Sequence, residues 1–141
     1  MTNKYYDHFK AVFDRVKADL EAVTAIKAVS LGEQFRLTST PFAIINAEDA
    51  VMEPVVIGTM LKETVSFSVV LVIRETEPTD WFTEIVSVMG DVVDKILADQ
   101  TLNGTVKDCY PVFFSPGEIR MQNKLYYGGV VRFSAWGFYT P

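Results

Sequence analysis

Apolar residues recur at spacings of three and four along the first part of the chain: Tyr5, Phe9, Val12, Phe13, Val16, Leu20 and Val23. Asp7, Lys10, Asp14, Arg15, Lys17 and Asp19 fall mostly between them. That period predicts an amphipathic helix. Thr2 or Asn3 is placed to cap it, because a short side-chain oxygen accepts from the unpaired amides of the first turn. A second helical stripe follows Pro78: Phe82, Ile85, Val86, Met89, Val92, Val93, Ile96 and Leu97, with Thr79 or Asp80 as its cap. Gly90 falls among the more polar positions, costs about 1 kcal/mol relative to Ala in a helix, and would let another backbone approach.

Elsewhere the period drops to two. Thr64–Glu75 places Val65, Phe67, Val69, Leu71 and Ile73 on one face, while Val70 and Val72 make the centre of the other face apolar. An internal strand has that pattern. Val106–Phe114 is a strand with Pro111 inside it; a proline lacks a ladder donor, so this strand is an edge or is bulged there. Ser115–Leu125, opened by Pro116-Gly117, reads as a long hairpin loop. Tyr126–Tyr139 is the last strand, with Val131, Phe133, Ala135 and Tyr139 on one side and Gly128-Gly129 permitting bulges or bending. Between them, Thr101–Gly104 is the exit of the second helix, Asn103 or Gly104 taking a left-handed backbone.

The region from Thr24 to Lys62 is the hardest to read. Phe35–Thr38 and Phe42–Ala47 suit short strands, and Ala50–Leu61 suits a protruding insertion. The resulting order predicts an α+β fold: a largely antiparallel sheet of about four to five strands with two main helices packed on one face. The 141 residues are expected to form a single domain.

Composition narrows the function. The formal net charge is −5 and no Lys/Arg cluster reverses it locally, which argues against attraction to nucleic acid or an anionic membrane. The longest wholly apolar run, Val69–Ile73, is far too short to span a bilayer, and no apolar leader is evident at the N-terminus. Cys109 is the one cysteine, so no internal disulfide forms. His8, the one histidine, stands beside charged neighbours and reads as surface. Cys109 reads as a buried, inert thiol. Glu48, Asp49 and Glu53 lack the spacing of a calcium loop. Asp91, Asp94 and Asp99 read as a solvated helix face. No catalytic, metal or cofactor grouping emerges, and no cofactor is expected. These absences move weight from enzyme to binding or assembly protein.

The order of segments then carries a resemblance. "FSVVLVIRE" precedes "DWFTEIVSVMGDVVDKIL", which exits through "TLNGTV" into a strand, and the chain ends in "YYGGVVRFSAW". Thr101, Leu102, Gly104, Val106 and Gly129 to Trp136 resemble the pattern of small tail-terminator, or tail-completion, proteins of long-tailed bacteriophages and prophages. The resemblance spans roughly residues 60 to 138, with the N-terminal helix loosely matched. It implies a non-enzymatic structural protein of the virion tail, assembled in the bacterial host cytoplasm. It also implies a homo-oligomer, typically a hexameric ring, that caps the tail tube and joins it to the head connector. The implied partners are the tail-tube protein and the head-completion protein, with DNA only as passing cargo and no membrane. Six chains would carry 6 × −5 = −30 charges, and an acidic lumen would keep the DNA mobile. Contacts are expected at Val51, Met52, Glu53, Ile119, Arg120 and Met121, in two segments that combine apolar side chains with charges. The competing expectation is a small α+β ligand-binding module of a non-viral protein, with an enclosed apolar pocket.

Overall fold

Asn3 begins the first ordered element: its Oδ1 accepts from the Tyr6 amide at 2.8 Å, capping α1, Lys4–Glu21. The computed structural model describes residues 3–32, 39–55, 60–121 and 123–141. Val12, Phe13, Val16 and Leu20, at helical spacing, form the buried stripe of α1. The chain then enters β1, Ala28–Leu31, and β2, Phe42–Pro54. Next come β3, Leu61–Arg74; α2, Ser87–Leu97; β4, Asp108–Met121; and β5, Lys124–Tyr139. A single π-helical turn, Phe82–Val86, leads into α2. Asp80 secures its start, accepting from the Thr83 amide at 3.2 Å and the Thr83 hydroxyl at 2.8 Å.

The strands form one sheet in the order β1-β2-β3-β5-β4. β1 lies parallel to β2, and the other three pairings are antiparallel. The expected α+β architecture is therefore present, with five strands. β3 is central, as its two apolar faces require. One face of the sheet, with Ala43, Ile45, Phe67, Val69, Leu71, Val131 and Phe133, packs with α1 and α2 in the main core. Phe67 and Phe133 stack at 5.2 Å between centroids, and Phe13 of α1 meets Phe67 edge-on at 5.5 Å. A smaller apolar cluster on the opposite face joins Phe42, Ile44, Val72 and Tyr126.

Several details depart from the sequence reading. β1 was not anticipated. Phe42–Ala47 is the start of a much longer strand, and the expected protruding insertion from Ala50 is part of the sheet: Ala50–Pro54 continues β2, paired with β3 from Leu61, while 56–59 lie outside the described residues. Ser115–Leu125 is likewise no long loop: β4 runs to Met121 and β5 starts at Lys124, so only two residues separate them. Alternation there is masked because most of β4 is exposed on both faces. The Phe35–Thr38 strand lies outside the described residues. Phe82 is 77% exposed, because only the line Ile85, Met89, Val92, Ile96 faces the sheet.

Candidate interaction surface

Two polar clusters lie beneath α1. Glu63 of β3 is 3% exposed, yet both its oxygens are engaged: Oε1 with His8 Nε2 at 2.7 Å and Oε2 with the Tyr5 hydroxyl. Tyr139 packs against both rings. Burial, followed by the adjoining Glu63 carboxylate, pushes the Tyr5 phenol well above its usual range. His8 is thus not a solvated surface residue; one turn after Tyr5, it helps dock the start of α1 onto a buried carboxylate. Period alone does not reveal this, because Glu63 lies 55 residues away in sequence.

The second cluster joins α1 to the exit of α2. Arg15 Nε donates to Asp99 Oδ2 at 2.7 Å and lies 3.5 Å from Asp19 Oδ1. Asp19 is 6% exposed, and its Oδ2 has no partner. Burial and then the neighbouring Asp99 raise the Asp19 carboxyl to about 7. Asp99 moves the other way: burial opposes the shift but is outweighed by the neighbouring Asp19 carboxyl and by hydrogen bonds from Arg15 and the Asn103 amide. Asp99 therefore belongs to a half-buried cluster with buried Asp19 and with Arg15, not to a solvated face. Cys109, fully buried, has its thiol pushed up to about 12, mainly by burial and then by Asp108, Asp19 and Asp99. His8 and Cys109 thus belong to different clusters, and the gathering an enzyme site would need from them is not formed.

The surface shows a different feature. β1 pairs only with Phe42–Ile45, so no described strand covers the outer side of Asn46–Pro54. β4 forms the other end of the sheet over its whole length. It has a register shift between Pro111 and Phe113, so Pro111 marks both an edge and a bulge. Both edges expose large apolar side chains: Val51, Met52 and Val55 on one, Tyr110, Val112, Phe113 and Phe114 on the other. Of the expected contact residues, Val51, Met52 and Glu53 are exposed on β2. Ile119 and Met121 are half-buried and Arg120 is exposed, near the β4–β5 turn. The pairing registers put these two sets at opposite ends of the sheet and on opposite edges. Sequence reasoning did not single out Tyr110–Phe114 as a contact surface; the signal was the aromatic and β-branched run Val112–Phe114 between Pro111 and Pro116.

No protein-family model matches the chain, and no curated protein matches it. A groove of about 360 Å³ adjoins the free stretch of β2, lined chiefly by Tyr6, Phe9, Phe13, Leu31, Ile45 and Ala47. It is apolar, and the nearby Lys10 is held by Asp14 at 2.6 Å.

Proposed function

We propose that this chain is a structural assembly protein of a phage or prophage tail, a terminator-like subunit whose ring caps the tail tube and joins it to the head connector. The observation that supports this reading is the pair of sheet edges that no strand covers among the described residues, carrying exposed Val51, Met52 and Val55 and exposed Tyr110, Val112, Phe113 and Phe114. Long, apolar, unpaired edges are aggregation hazards on a monomer and suit a protein that buries them by assembly. The helix-exit and final-strand signals of the resemblance also have structural uses here: Leu102 anchors the helix exit in the core, and Gly128-Gly129 lets β5 pass close to its neighbours.

Native mass spectrometry tests the assembly state; a hexamer gives about 95 kDa, from 6 × 15.8 kDa. Addition of the purified protein to growing tail tubes tests the activity, with arrested growth expected. A chain that stays monomeric at high concentration, alone and with tubes, and leaves tube length unchanged overturns the reading. The groove beside α1 favours the ligand-binding alternative, and saturable binding of a small apolar compound by such a monomer would support it.

A further inference from the structure

We propose that successive copies join edge to edge, the free stretch of β2 in one copy, Asn46–Val51, pairing with the Asp108–Phe114 stretch of β4 in the next, so that the sheet continues from subunit to subunit. This rests on the assembly reading above and names the surface and partner it uses, a second copy of the chain.

Strand direction comes first. β2 is antiparallel to β3, β3 to β5, and β5 to β4, so β2 and β4 run in opposite directions within one subunit. Rotation about an axis along the strands preserves their direction. β4 of one copy therefore meets β2 of the next antiparallel, and the up-down alternation is unbroken at the seam. The contact is heterologous, and such contacts close into rings when the rotation allows.

Height along the strands selects the residues. Carried across the sheet, the registers align Asn46, Ser68, Arg132 and Phe113 in one row, and Asp49, Ser66, Ser134 and Tyr110 in another. For strands along the rotation axis, a row keeps its height from copy to copy. The uncovered part of β2 thus faces Asp108–Phe113, where β4 exposes its apolar run. Ser115–Met121 would meet the level of β1 and beyond, so Ile119, Arg120 and Met121 lie outside this seam.

The side chains agree. Phe114 pairs with Val131, whose side chain is in the core beneath the helices, so Phe114 lies on the helix-bearing face. It is 40% exposed. The groove between α1 and the β1–β2 edge opens on that same face, and Ile45 in its lining shares the row of Phe114. Docking would put one copy's Phe114 ring beside the neighbour's Phe9, Phe13 and Leu31.

Same-edge pairings are worse. Two β2 edges would face Glu48, Asp49 and Glu53 against their own copies, and like charges across a strand pair are unfavourable. Two β4 edges would bring together Pro111 and Pro116 from each strand, with four amide donors missing. The mixed seam sets the acidic stretch against Asp108 and Tyr110–Phe114, with Lys107 adjacent.

Val51→Cys combined with Tyr110→Cys, treated with a short bis-maleimide, tests the seam; native Cys109 is buried. The double variant is expected to give a ladder of cross-linked species, while each single variant gives none. Phe114→Lys, with unchanged circular dichroism, is expected to raise the concentration for half-assembly at least tenfold. Cross-linked dimers from either single variant would establish a same-edge contact and overturn the proposal. An intact ring that gives no ladder and tolerates Phe114→Lys would also overturn it, while leaving the ring itself standing. A chain that remains monomeric and does not cap tubes overturns both readings.

Discussion

Gly128 and Gly90 look alike in the sequence and differ in space. A Cβ at Gly128 would sit 1.8 Å from the Leu71 carbonyl oxygen, which is backbone and cannot swing aside. Gly128→Ala is expected to cost about 3 kcal/mol or more, the upper end for overpacking, read as a lowered urea midpoint. A Cβ at Gly90 meets nothing within 4 Å. No backbone approaches it, so its helix penalty has no packing benefit. Gly90→Ala should stabilise the protein by about 1 kcal/mol and raise the melting temperature by about 3 °C. An unchanged or lower melting temperature would mean that the glycine serves a contact outside the monomer.

At the scale of elements, the helix exit shows how local signal and tertiary demand combine. Leu102, Asn103 and Gly104 all have positive φ, at 47°, 58° and 83°. Asparagine and glycine adopt this region readily; leucine does not, at a cost of about 1–2 kcal/mol. Its side chain is completely buried, which offsets that cost. Thr105 Oγ1 and the Thr105 amide both donate to the Leu102 carbonyl, fastening the turn. Leu102→Ala should therefore destabilise by about 2–5 kcal/mol and leave the strain behind, a loss visible in thermal denaturation. The dipeptide Asn103-Gly104 announced the turn, but the buried leucine explains its shape. From Pro111 the strand β4 was legible as an edge or as bulged, and it is both; its length was not legible, because residues exposed on both faces carry no period.

For the whole molecule, the pair Asp19–Asp99 predicts a pH dependence. An unfolded aspartate titrates near 3.8, and folded Asp19 near 7. Between these values the folded state holds a proton that the unfolded state has released. Asp19 thus contributes stability below about pH 4 that is lost progressively as pH rises to about 7, after which its contribution is flat. Asp99, shifted down, opposes this only below its ordinary range. Chemical denaturation at pH 5 and pH 8 should show greater stability at pH 5 from this pair. Asp19→Asn, which cannot ionise, should remove the difference; persistence of the full slope in that variant would assign it to other groups.

The sequence by itself determined both helices, the residue pairs that hold their caps (Thr2 or Asn3, Thr79 or Asp80), the central strand β3 and the α+β class; the structure chose Asn3 and Asp80. Those features arise from hydrophobic period and turn chemistry, which are encoded in neighbouring residues. Tertiary structure decided the sheet order, the parallel addition of β1, the burial of Glu63 and Asp19, and which stretches of β2 and β4 no strand covers among the described residues. Each depends on partners tens of residues away, and a charged residue reads the same in sequence whether it faces water or a buried partner. The interface candidates divide in the same way: Val51, Met52 and Glu53 were legible as a stretch mixing apolar residues with charge, but only the registers of β2, β3, β5 and β4 set Val51 level with Asp108, and Asp49 level with Tyr110.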